Sequence, residues 1–207
     1  WVNPLAGGDS EDVARLRHYE AAVMDFDKAI GKLLDALEDN DLLEDTVIVL
    51  YGDHNVYYHD LALKMYEDTG NDYYNMEMYH TFFCIYNETL TSTYLANTRA
   101  SDTTIDTFTS PYCIVPTLLD LLGYHYEQDI YMGDSVFSDT MQVFYSHKLT
   151  GLFTNCLYSN DGEEIVYANQ NITDEYLETF RERCQDVIGR LNYINSVYYN
   201  SQEPKEE

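Results

Sequence analysis

The sequence predicts an α/β fold that ends in a small antiparallel meander and a terminal helix. Three patterns carry the prediction. Val13, Leu16, Val23, Phe26, Ile30, Leu33, Leu34 and Leu37 recur mostly at three- and four-residue steps, one apolar stripe on a long helix. The run Val47-Ile48-Val49-Leu50-Tyr51 is continuous and apolar, as a strand buried on both faces requires. Short strand-like runs near the end are divided by turn residues, among them Asn160-Asp161-Gly162, a hairpin signal.

In chain order, Pro4, Gly7 and Gly8 mark an irregular start, and Ser10 is a good cap for a helix over 10–38. Glu11 and Asp12 suit its positive end, and Asn40 suits a left-handed stop. The strand 46–51 follows and completes half of a βαβ-type layer. Segment 55–75 is polar and aromatic, with a short helix at 60–67, and reads as a loop over the strand ends. A second strand covers 81–86, and the Ser-, Thr- and Asp-rich 91–109 reads as surface loop. Residues 115–123 form a short helix stopped by Gly123. Runs at 141–145, 151–158 and 164–167 make the meander, and Thr173 caps a final helix with its stripe on Leu177, Phe180, Cys184, Val187, Ile188, Leu191 and Ile194.

The 207 residues fit one domain with a small appendage. A formal charge of −26 argues against nucleic acid and against an anionic membrane surface, both of which need clustered Lys and Arg. No apolar run is long enough to span a bilayer. The chain opens on Trp1 rather than Met, so it is expected to be a piece of a longer protein. Cys84, Cys113, Cys156 and Cys184 are widely spaced among apolar residues and read as buried free thiols; they do not fix the compartment.

Gly52, Asp53 and His54 follow the first strand. Chemistry in α/β sheets gathers just past the carboxyl ends of strands. In a continued strand the two side chains would point to opposite faces, so a glycine pivot is needed to aim both at one place. A carboxylate and an imidazole together suit a divalent transition metal. The plainer reading makes Asp53 a cap and His54 a rim residue. His59 could contact an anionic head group from the loop, or be an ordinary exposed histidine. His80 is expected to be structural, since it would sit at the wrong end if the second strand runs parallel, and His147 and Lys148 carry weak signals. Asn87-Glu88-Thr89 and Asn171-Ile172-Thr173 fit the glycosylation pattern, which also arises by chance.

Three stretches together resemble the sulfatase-like branch of the alkaline phosphatase superfamily, in particular the lipoteichoic acid synthases and related phosphoglycerol transferases. The first is Asp27-Lys28-Ala29-Ile30-Gly31-Lys32-Leu33-Leu34-Asp35-Ala36-Leu37, and the second runs from Leu42-Leu43-Glu44-Asp45 through the strand to Gly52-Asp53-His54. The third is Pro116-Thr117-Leu118-Leu119-Asp120-Leu121-Leu122-Gly123 with Gly133-Asp134-Ser135 after it. They cover roughly residues 10–140.

The resemblance implies a three-layer sheet with helices on both faces. Residues 1–140 would be the carboxyl-terminal half of the catalytic domain, with 141–207 completing it. It implies a hydrolase or transferase acting on a sulfate or phosphate ester, extracytoplasmic and membrane-associated in the parent. One divalent ion (manganese, zinc, calcium or magnesium) would be held by Asp53 and His54. The nucleophile and a further acidic ligand would come from a missing amino-terminal half, so this piece alone is expected to be inactive, with an exposed face open to an oligomer. Two departures stand out. Cys113 occupies a position where the family commonly has Asp, and Val2 stands where a substrate-contacting His would precede Pro4. They feed the alternative of a non-catalytic binding or assembly module. A third possibility is an unrelated α/β protein.

Overall fold

The computed structural model describes residues 11–54, 80–98, 103–146, 151–154, 157–160, 163–166 and 172–202. Val2, Pro4, Ser10, His59, the helix expected at 60–67, His147, Lys148, Cys156 and Asn171 lie outside them. The chain divides into two compact units, Trp1–Thr103 and Thr104–Glu207. The fold is a mixed α/β one: helices, a strand pair and a small antiparallel sheet.

The first unit begins with α1 (Glu11–Glu38). Ile30, Leu34 and Leu37 of its stripe are half-buried, while Val23, Phe26 and Leu33 are exposed. Its end shows what the sequence misplaces by one residue. The left-handed residue is Asp41, at φ 56°, not Asn40. Leu42 N–H donates to the Leu37 carbonyl and Asp41 N–H to that of Glu38, the paired bonds of a Schellman stop. Asn40 instead donates its side-chain amide to the Ala36 carbonyl at 2.7 Å.

Strand β1 (Ile48–Tyr51) pairs with β2 (Phe83–Tyr86) in a two-stranded sheet. The pairing is antiparallel, with Ile48 opposite Tyr86 and Tyr51 opposite Phe83, so a parallel βαβ layer is not what joins these two strands. Only Ile48 of β1 is buried, and Tyr51 is exposed, which corrects the expectation of burial on both faces.

Helix α2 (Glu88–Thr98) takes the first part of the surface loop expected over 91–109, while the described residues 103–109 carry no helix or strand. Asn87 explains the helix. Its side-chain carbonyl accepts from Leu90 N–H at 2.9 Å, a helix cap, and Ser92 turns its hydroxyl back onto the Glu88 carbonyl rather than breaking the turn. The amide nitrogen of Asn87 donates to the carbonyls of Glu44, at 2.9 Å, and Thr46, at 3.0 Å. One buried side chain therefore caps α2 and ties the end of β2 to the loop before β1. Both amide hydrogens are in use, so the folded chain has no free nitrogen for a glycan at this sequon. Asn87→Ala should lower unfolding free energy by about 2 kcal/mol, one cap plus two bonds to buried carbonyls. A urea transition that fails to move would contradict that assignment.

The second unit opens with a 3₁₀ turn at Pro111–Cys113, capped by the Ser110 hydroxyl, and continues into α3 (Ile114–Leu121). Gly123 closes α3 at φ 72°, with Tyr124 N–H donating to the Leu119 carbonyl, as the sequence predicts. An antiparallel meander forms, with four strands where the sequence shows three runs, because the run 151–158 is divided between two of them. Strands β3 (Phe144–Ser146), β4 (Gly151–Phe153), β5 (Leu157–Asn160) and β6 (Glu163–Val166) lie in that order, each antiparallel to the next. Asn160 pairs with Glu163 across the hairpin. The Thr173 hydroxyl accepts from Tyr176 N–H at the start of α4 (Asp174–Gln202). Phe180, Cys184 and Val187 of α4 pack with Val143 and Leu152 to form the core. Ile188, counted in that stripe, is exposed.

Candidate metal site and the polar core of the second unit

The ladder ends where the candidate site begins. Gly52 N–H still donates to the Phe82 carbonyl at 3.0 Å, and the chain then bends at Asp53 and His54. Gly52 is not in the left-handed region, so conformational freedom is not why glycine is needed. Space is the reason. A Cβ at this position would sit 2.7 Å from the Thr81 Cβ, closer than packed carbons can come. The glycine lets the two strands pinch together just before the acid and the histidine.

Asp53 and His54 do converge. Asp53 Oδ1 and His54 Nε2 lie 3.5 Å apart. Donors bound to one ion at bonds of about 2.1 Å stand roughly 3–3.5 Å from each other, so this spacing fits a shared divalent cation. Both are accessible, with side-chain exposures of 81% for Asp53 and 43% for His54. No group of three candidate ligands occurs among the described residues, so the pair supplies two donors and a tight site needs more.

The antiparallel register also moves His80. Tyr51 is opposite Phe83 and Gly52 N–H bonds to the Phe82 carbonyl, so the chain enters β2 at the end of the ribbon where Asp53 and His54 leave β1. His80 is therefore at the same end as the pair, not the far end that a parallel strand would give it. No sequence signal distinguished these directions.

The second unit carries a buried charge network. Asp134 accepts from Arg183 Nη2 and, at 2.9 Å, from Arg190 Nη1. Asp186 bridges the same arginines, 2.6 Å from Arg183 Nη1 and 3.0 Å from Arg190 Nη2. Arg183 Nε donates to the Met141 carbonyl. Arg190 Nε, buried, finds no hydrogen-bond partner among the described residues. Thr117, fully buried, accepts from Val136 N–H at 3.0 Å. Gly133 fits because a Cβ there would meet the Tyr112 carbonyl carbon at 2.8 Å. The Pro116-Thr117 and Gly133-Asp134-Ser135 stretches thus hold the turn after α3 and anchor α4.

Cys113 belongs to this core, not to a reactive centre. It is buried, with its thiol 3.6 Å from Gln142 Oε1 as donor. Burial pushes it up to about 11, opposed by a backbone hydrogen bond from Ser110 and assisted by the Asp134 charge. The folded value lies above the unfolded one, so this thiol's contribution to stability is complete below the ordinary cysteine value. It is lost as pH rises from there toward 11. Cys113→Ala should flatten the alkaline fall in stability. Iodoacetamide mapping by mass spectrometry should label the exposed Cys84 well before Cys113. Equal labelling of the two would contradict the burial argument.

No helix among the described residues is long and apolar enough to cross a membrane. Among curated proteins, no relative matches the chain. A mixed α/β fold with a paired acid and histidine at the end of a strand is the class these observations define. The Sulfatase family model matches residues 6–124, more than half of the chain, and the protein belongs to that family.

Proposed function

We propose that this chain carries the metal-bearing half of a sulfatase-like hydrolase or phosphoglycerol transferase, acting on a sulfate or phosphate ester. The convergence of Asp53 and His54 at 3.5 Å, in a Sulfatase-family chain, is the observation that carries the reading. Asp53 contributes a charged oxygen and His54 an imidazole nitrogen to one divalent ion: manganese, zinc, calcium or magnesium. When bound, that ion polarises the ester and offsets charge on its oxygens. A nucleophile and a further acidic ligand come from an amino-terminal half in this reading. Covering that half's partner surface would bury Val23, Phe26 and Leu33 of α1.

The rest of the assignment follows from the lipoteichoic acid synthase resemblance. Strands β1 and β2 belong to a three-layer sheet, with residues 1–140 as catalytic half-domain and 141–207 completing it. The parent works outside the cytoplasm at a membrane, and His59 contacts the ester.

The test joins this chain to a nucleophile-bearing amino-terminal half. That polypeptide should hydrolyse 4-nitrophenyl sulfate or phosphate only with added divalent metal, and Asp53→Ala should remove the metal-dependent rate. Metal-dependent turnover that survives Asp53→Ala would overturn the assignment.

A further inference from the structure

Two donors share one ion only while they stay roughly 3–3.5 Å apart, and Asp53 Oδ1 and His54 Nε2 already stand at 3.5 Å. A small outward shift of either takes the pair out of range. Asp53 is 81% exposed at the side chain, so its position follows the backbone that carries it.

That backbone is held one residue earlier. Gly52 N–H donates to the Phe82 carbonyl at 3.0 Å, one step beyond β1. Thr81 takes the space beside Gly52. A Cβ at position 52 would stand 2.7 Å from the Thr81 Cβ, 3.0 Å from its Cγ2 and 3.3 Å from its Oγ1, so the whole threonine side chain meets this one position. Exposure along the chain shows why. Thr81, Phe83 and Ile85 are half-buried while Phe82, Cys84 and Tyr86 are exposed, the two-residue alternation of a pleated chain, with Thr81 on the covered side. Branching at Cβ restricts its rotation and makes it a stiffer stop than an unbranched residue. The other end of the ribbon is tied separately, by Asn87 to the Glu44 and Thr46 carbonyls.

We propose that Thr81 is a positioning residue for the Asp53–His54 pair: its branched side chain, set against Gly52, fixes where Asp53 leaves β1 and keeps the two donors within reach of one ion. The proposal rests on the metal reading of that pair, and the experiment separates the two. Manganese binding to the whole chain is followed by the electron paramagnetic resonance of the free ion, with thermal unfolding of each variant alongside. Gly52→Ala drives a methyl group into Thr81 and should weaken binding about tenfold or more, the scale of disturbing a residue that orients a metal ligand. Thr81→Gly removes the stop and should weaken it as well, with no clash to threaten the fold. The two substitutions together should bind more tightly than either alone, because the methyl group then occupies the space the threonine gave up. Thr81→Val, which keeps the branched shape, should bind as the wild type does. Asn87→Ala loosens the far end of the ribbon and should lower the unfolding temperature at unchanged manganese affinity.

Wild-type affinity in either single variant, where Asp53→Ala removes binding, would overturn the place given to Thr81 and leave the metal pair standing. A double variant no better than the singles, or an equal loss in Asn87→Ala, would mean general loosening and overturn it too. A wild type that binds no manganese would overturn the metal reading itself.

Discussion

Asp134→Ala lowers the unfolding free energy of the carboxyl-terminal unit by about 3–5 kcal/mol, the usual cost of leaving buried charge without its counterion. Asp134 is 6% exposed and Arg190 8%, so solvent cannot take over the role of the missing carboxylate. Two guanidinium groups converge on it, Arg183 and Arg190, and both come from α4. Asp134 itself lies in the turn after α3. The carboxylate is therefore a clamp between the terminal helix and the turn, and its loss should loosen α4 before the meander. Asp186 cannot substitute, because it already bridges both arginines and is itself 39% exposed at the side chain. Asp186→Ala should cost only about 1 kcal/mol, as exposed pairs do.

Replacing Asp134, Arg183 and Arg190 together by apolar residues of similar volume should be close to neutral. The desolvation cost of three charges disappears along with their attraction, and so does the unpartnered Arg190 Nε. Hydrogen exchange of the α4 amides, read alongside urea unfolding, measures all three variants. A loss under about 1 kcal/mol for Asp134→Ala would mean the network contributes little to stability.

How much of this was legible follows from which interactions are local. The long helices α1 and α4 are visible in their apolar periodicity, and the β5–β6 hairpin in Asp161-Gly162. Gly123 was legible too, because a left-handed stop nearly specifies its residue. Helix α2 was missed because Ser and Thr lower helix propensity, while its cap, Asn87, is fixed by carbonyls more than forty positions away. The direction of β2 relative to β1 was equally hidden: an apolar run has the same composition in either direction. The charge network could not be read, since Asp134 and Arg183 are far apart in sequence and meet only in the fold. For the candidate site, the residues were proposed from the sequence, but the 3.5 Å approach of Asp53 and His54 was not visible there. Gly52 was identified correctly and explained wrongly, as a pivot where the structure needs a gap. His80 was set aside for being at an end where the fold does not put it.

The second large effect falls on the proposed metal pair. In the proposed site two donors would give weak affinity, and removing either would leave one, too few to hold an ion against its own hydration. Asp53→Ala should therefore weaken divalent binding by roughly 100-fold or more, a larger loss than that from disturbing a residue that only orients a ligand. His54→Ala should match it, and Asp134→Ala should not affect it wherever the chain remains folded. The carboxylate is 81% exposed, so Asp53→Ala disturbs no packing and the loss can be assigned to coordination.

Manganese binding followed by the electron paramagnetic resonance of the free ion, in the whole chain and in Asp53→Ala, tests whether Asp53 and His54 hold a divalent ion. The wild type should show a weak site that vanishes in the variant at unchanged thermal stability. Equal binding by the two proteins would contradict it.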